Sequence, residues 1–262
     1  MTDQNPDDQS ERDAARQLET ATGDGTPTDI PDVLGRLRAV EACAVATSRR
    51  GRMDGIACFT RLYSVITARI DELDKTGDFH APDDFLVRLD VAFAGRFFEA
   101  IRTWATNPEA TPACWKVLFD RRQDVIAEAN FAAAGVNAHI NYDLSAALLE
   151  TWQKCDPGDA EVREQQRHDY EMINEVFAQE MDPLREEMHT FLSEGPDNAI
   201  WDRGADWIGD LVVRWTRAVA WDVAHEIWGS GDRGTAVARS DERLARMAGS
   251  FGAIVLKVPL LM

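Results

Sequence analysis

His139 and Asp143 lie four residues apart in the run AGVNAHINYDL (134–144), the interval at which two side chains on an α-helix share a face. Val136, Ile140, Ala147, Tyr142 and Phe131 flank that face, so both polar groups are expected to be buried. A buried carboxylate without a partner costs several kcal/mol, and Asp143 therefore needs a cation, a metal or a proton beside it. Three chemistries fit the spacing. The pair could ligate a metal from one helix, the carboxylate could orient an imidazole that acts as acid or base on a bound substrate, or the two could form an internal structural hydrogen bond. The sequence leaves all three open.

The same anomaly recurs elsewhere. Asp90 falls inside the apolar stripe of Leu86, Phe93, Phe97 and Trp104, where a charge needs either a function or a buried bridge to an arginine such as Arg121 or Arg122. Asn174 sits between Tyr170 and Phe177, with Asp169 at the edge of that face. Asp222 and His225 are three apart and share a face with Trp207, Leu211, Trp215 and Ala218, with Arg214 at its margin and a local bridge from Arg214 to Asp222 or Asp210 as the competing structural reading. Candidate catalytic residues are thus His139, Asp143, Asp90 and Asn174. Asn137, Asn141, Tyr142, Arg214, Asp222 and His225 form a candidate ligand-binding set, and His139, Asp143 and Asp169 a candidate metal set for zinc or iron. His80, in a loop, His168, opposite Tyr170, and His189, at a helix flank, are expected to face solvent. No Gly-rich phosphate loop, G-x-S-x-G elbow or H-E-x-x-H motif is present.

The elements that must position these residues read as helices throughout. Thr28 or Asp29 can cap a first helix carrying Val33, Leu34, Leu37 and Val40, with Pro31 in its first turn. A second carries Ile56, Phe59, Leu62, Tyr63, Ile66 and Ile70 at i, i+3/i+4 spacing and ends near Thr76-Gly77. A third starts at Pro82-Asp83-Asp84, a short one holds Trp115, Leu118 and Phe119, and a fifth spans 124–153. A long charged helix follows from about Ala160, which Pro183 should kink or split, then a Trp-rich helix over Ile200 to Trp228 and a last one over Ser240 to Gly249. The apolar end FGAIVLKVPLLM should pack on the rest. The spacing predicts an all-α fold, a single globular helical bundle over residues 29–262. Residues 1–28, rich in Asp, Glu, Thr, Gly and Pro, are expected to be a disordered acidic tail.

Bulk properties restrict the partners. A formal net charge of −18 repels phosphate backbones and anionic lipid, so neither nucleic acid nor a membrane surface is an expected partner. With 45% apolar residues and 8 tryptophans the chain can bury a sizeable core. No run approaches the roughly 18 apolar residues of a membrane span and the start has no signal-peptide pattern, so the default address is the cytoplasm. Cys43, Cys58, Cys114 and Cys155 form no C-x-x-C pair and read as reduced, mostly buried thiols.

The blocks DGIACFTRLY (54–63), FLVRLDVAFAGRFFEA (85–100), WKVLFDRR (115–122), AGVNAHINYDL (134–144) and DYEMINEVFA (169–178) together resemble the actinobacterial domain-of-unknown-function family 5995, over about residues 30–228. The resemblance implies a helical domain and no settled reaction. By motif position it directs attention to Asp90, Asn137, His139, Asn141, Asp143, Asp169 and Asn174. Five histidines in these positions cannot furnish the cluster of the helical zinc phospholipases and nucleases, and neither His139 nor His225 has the Glu three residues earlier that helical di-iron sites use.

Two functions follow from these residues. One is a small-molecule enzyme with a His-Asp centre between helices, possessing or lacking a metal, of cyclase, isomerase or hydrolase type. The other is a non-catalytic ligand- or partner-binding module in which the buried polar groups fix helix register.

Overall fold

The structure is a computed structural model that describes residues 6–192 and 210–256, with side chains over 9–179 and 213–256. It is built from α1 (Pro6–Ala21), α2 (Ile30–Thr47), α3 (Gly55–Thr76), α4 (Phe85–Thr106), α5 (Ala113–Phe119), α6 (Glu128–Ala138), a single π-helical turn (His139–Asp143), α7 (Leu144–Trp152), α8 (Ala160–Leu192), α9 (Asp210–Gly229) and α10 (Arg233–Val255). No strand occurs among the described residues, so the all-α bundle read from the periodicity holds.

Local signals set the helix ends. The Asp29 side chain accepts from the Asp32 amide to cap α2, with Pro31 in the first turn as expected. Asp54 caps α3 by accepting from the amides of Ile56 and Ala57, and α3 stops at Gly77, whose φ of 77° lies in the left-handed region open to glycine. The buried stripe of α3, including Phe59, Tyr63, Ile66 and Ile70, faces α2 on one side and α6 and α8 on the other. Gly135 permits the α3–α6 approach, because a Cβ there would lie 2.3 Å from the Phe59 ring. Gly135→Ala should therefore destabilise the protein by about 1–3 kcal/mol in urea unfolding and disturb the near-UV aromatic signal, since the backbone must move to relieve the overlap.

Three expectations need correction. The first 28 residues are not a disordered tail over the part described, since Pro6–Ala21 is the helix α1. Its few small apolar residues are spaced to make a stripe of Ala14, Ala15 and Leu18, which is buried against α2 and α4. Polar anchors add to this: the Arg122 guanidinium bonds Glu11 at 2.8 Å, and Arg102 donates to the Gly23 carbonyl at 3.1 Å. The long helix α8 runs through Pro183 without being split. The Trp-rich helix is described only from Asp210, and the last helix is longer than expected, at Arg233–Val255. Val255 and Leu256 are buried, so the described start of the apolar end packs on the bundle. Residues 193–209 and 257–262, with the Trp207, Leu211 and His189 side chains, lie outside what is described.

Candidate functional site

The residues between α6 and α7 wind as a π-turn, closed by the Leu144 N–H donating to the His139 carbonyl five residues back. Such a wide turn in an α-helix is uncommon and is found often at functional sites. It places the two sequence candidates in contact, with His139 Nδ1 3.0 Å from Asp143 Oδ2. The same oxygen accepts from the Trp115 indole at 2.9 Å, and Arg96 Nε stands 3.5 Å from Oδ1. His139, Asp143 and Trp115 are all buried. A carboxylate oxygen can only accept, so Nδ1 carries the hydrogen and the lone pair of the imidazole is on Nε2. That atom is buried and has no hydrogen-bond partner.

Around the imidazole is an aromatic shell. Phe93 stacks on it with ring centroids 3.4 Å apart and planes 8° from parallel, and Tyr63 meets it edge-on at 4.7 Å. Burial pushes the imidazole below its ordinary value, with Asp143 pulling in the opposite direction. The ring is therefore held as a neutral base.

His139 lines a cavity of about 50 Å³, enclosed by side chains of α3, α4, α6, the π-turn, α7, α8 and α9. The volume suits several waters or a slim organic group, since one water needs about 10–15 Å³ on this measure. Its walls are mostly apolar, and three further polar side chains enter it: Tyr63, Asp90 and Arg217. Phe93, Val136 and Phe177 are the lining residues that keep partial exposure, which places the described approach from solvent between α4, α6 and α8.

Asp90 occupies the cavity as its position in the apolar stripe implied. It is 4% exposed, and its Oδ2 has no partner. Neither suggested arginine reaches it: Arg122 bonds Asp54 and Glu11, and Arg121 bonds Asp124 and the Leu256 carbonyl. Burial first, and the charge of Asp71 second, push the Asp90 carboxyl up to about 7. The Tyr63 hydroxyl is likewise buried and unpartnered, with burial raising it well above the ordinary phenol value.

Arg217 was missed by the sequence reading. It is 3% exposed, and no carboxylate pairs with it among the described residues. Its Nε donates to Asn174 Oδ1 at 3.0 Å, its Nη2 donates to the Tyr170 carbonyl at 2.7 Å, and its guanidinium lies over the Tyr170 ring at 4.2 Å. Asn174 is thus a positioning residue for Arg217 and does not itself line the cavity. A usable signal existed, since Arg217 falls in the period of Val213, Ala220, Trp221 and Ala224, the face that is in fact buried.

The remaining candidates disperse. Asn137 donates to the Ala248 carbonyl at 2.8 Å and accepts from Asn141 at 3.0 Å, so this amide pair ties the π-turn to α10 and does not face the cavity. Tyr142 turns the other way, into a polar groove that it shares with Arg96, Glu99 and Asp143. Arg214 bonds Glu175 at 2.8 Å across to α8. Asp222 and His225 are exposed, and so is Trp215, at 66%. The helix α9 is apolar on several sides, and the phase centred on Trp215 was the wrong one; Trp221 marks the packed side. The metal set His139, Asp143 and Asp169 is not assembled, because Asp169 instead accepts from the backbone amides of His80 and Ala81 at 2.8 and 2.7 Å.

A protein-family model described as a family of unknown function, DUF5995, matches residues 30–258. The chain belongs to this family. The DUF5995 match covers every element from α2 to α10 and leaves α1 outside it. No curated protein and no solved structure matches the chain. In this DUF5995 chain no helix of the described residues is long and apolar enough to cross a membrane. The four cysteines are unpaired, at separate places in the fold.

Proposed function

We propose that the chain is a small-molecule enzyme that moves protons on a slim apolar substrate carrying an anionic group, in an isomerase or cyclase type of reaction. The observation that carries this reading is the convergence on one apolar cavity of three buried, unpartnered polar atoms: His139 Nε2, Asp90 Oδ2 and the Tyr63 hydroxyl. Native interiors leave few such atoms, and a cluster facing one hollow is where a ligand's polar atoms belong.

The roles follow from the protonation states. His139 Nε2 accepts a proton, and Asp143 fixes the tautomer and steadies the imidazolium that results. Asp90, which holds its proton up to about pH 7, returns one as general acid, with the Tyr63 hydroxyl as a further donor. Arg217, which pairs with no carboxylate among the described residues, receives the anionic end of the substrate. No serine or cysteine lines the cavity among the described residues, which favours proton transfer over acyl transfer to a nucleophile.

The test uses a panel of apolar monocarboxylic acids and their matched alcohols. Calorimetry should show saturable binding of acids and not of alcohols, with Arg217→Met weakening it at least about 30-fold. NMR in D2O should show exchange of carbon-bound hydrogen in a bound acid, abolished in His139→Gln while affinity is kept. Equal affinity of acids for the Arg217→Met variant would overturn the anion assignment. Binding without exchange by any acid of the panel would instead favour the non-catalytic binding module.

A further inference from the structure

We infer that His80, His168 and Asp169 form a binding site for one divalent zinc- or iron-like ion, separate from the His139 cavity. One ligand atom from each of the three residues lies within 4.8 Å of the other two, and no other group of three such residues among those described meets that limit. The residues come from two elements: His80 from the loop between α3 and α4, His168 and Asp169 from α8.

A second observation, independent of that proximity, points to a cation. Asp169 is fully buried, and its two oxygens are unlike. Oδ2 is satisfied twice, by the amides of His80 and Ala81, whereas Oδ1 is buried with no hydrogen-bond partner and lies 3.9 Å from His80 Nδ1. A carboxylate held rigidly through one oxygen with the other left bare on the side of an imidazole is the arrangement found when a ligating carboxylate is oriented by neighbouring N–H groups. The His80 ring stands too far from Oδ1, at 3.9 Å, and is too exposed, at two-thirds, to satisfy that buried oxygen by itself.

The remaining ligands can close on the ion. The His80 and His168 rings stand 6.1 Å apart and both are exposed, while Asp169 is buried and held by two backbone amides. Ligand atoms around a tetrahedral ion stand about 3.3 Å apart, so closure requires only side-chain rotation at the two histidines. Two imidazoles and one carboxylate suit zinc, cobalt and ferrous iron better than calcium or magnesium, and leave one or more positions for water. The ion would clamp the α3–α4 loop to α8 one residue before Tyr170, whose carbonyl accepts from Arg217.

The full chain, stripped with chelator and titrated with Co²⁺ and Zn²⁺, should bind one ion per molecule in calorimetry. Co²⁺ should give the visible absorption of a low-coordinate site, and Zn²⁺ should raise the thermal midpoint. Substituting either exposed histidine, His80→Gln or His168→Gln, leaves the buried Asp169 anchor intact and should weaken binding about tenfold or more. Unchanged affinity and stoichiometry in the His80→Gln, His168→Gln double variant would overturn the site, as would the absence of saturable binding up to about 1 mM metal. Neither result bears on the carboxylic-acid panel.

Discussion

Asp143→Ala should lower the stability of the fold by about 3–5 kcal/mol, the range found when one member of a buried charged network is removed and the others are left behind. Two donors lose their acceptor at once, the fully buried Trp115 indole N–H and the His139 Nδ1 hydrogen, and the partly buried Arg96 guanidinium loses its ion-pair partner. Neither the indole nor the imidazole hydrogen can reach water without opening the junction of α5 and the π-turn. Asp143→Asn should lose less, because an amide oxygen in the place of Oδ2 still accepts from both the indole and the imidazole, while its NH2 is turned on the Arg96 guanidinium. Urea unfolding of the two variants against the parent measures this, and a loss below about 1 kcal/mol for Asp143→Ala would mean that the network is not closed as described. The same substitution frees the imidazole to change tautomer, so any exchange activity should fall with it.

Asp90→Asn should do the reverse and stabilise the protein, by an amount that depends on pH. The carboxyl of Asp90 sits at about 7 in the folded protein against an ordinary value of 3.8. The unfolded chain releases this proton from about pH 4 upward and the folded chain retains it until about pH 7, so stability is lost progressively between those values and the loss is complete above them. The difference of about 3 pH units corresponds to roughly 4 kcal/mol at pH 8 and to almost nothing near pH 4. Urea midpoints of parent and Asp90→Asn, compared at pH 4.5 and pH 8, should therefore diverge toward the alkaline side. Equal gaps at both would show that Asp90 is not buried as an acid. His139 acts in the opposite sense: its value is depressed by burial, so the stability it contributes is present above the ordinary imidazole range and declines as pH falls through the lowered value. An acid that destabilises the protein at neutral pH, beside a base kept neutral, is the separation of protonation behaviour that acid–base catalysis uses.

Periodicity in the sequence determined the helical class, and local chemistry placed several helix ends, as at Asp29 and Gly77, because helix phase and capping are set by residues only a few positions apart. The same reasoning recovered the His139–Asp143 pair and the inward Asp90, since a polar residue within an apolar stripe is visible from spacing alone. It failed on α9, where tryptophans on opposite sides gave two possible phases and concealed Arg217. It failed also on α1, where a composition poor in large apolar groups hid a narrow stripe that becomes stable only against α2 and α4.

The partners across space were decided by tertiary packing alone. Trp115 is 28 residues from Asp143, Arg217 is 43 from Asn174, and Asp169 is 89 from His80, which is why Asp169 lies against the α3–α4 loop and not beside His139 and Asp143. Nothing in local sequence specifies which helix faces meet, because burial of apolar area has no direction of its own. The sequence therefore determined which groups turn inward on helices with one clear apolar stripe, such as α3 and α4. The folded chain decided which of those groups face one another, and so which of them share a cavity.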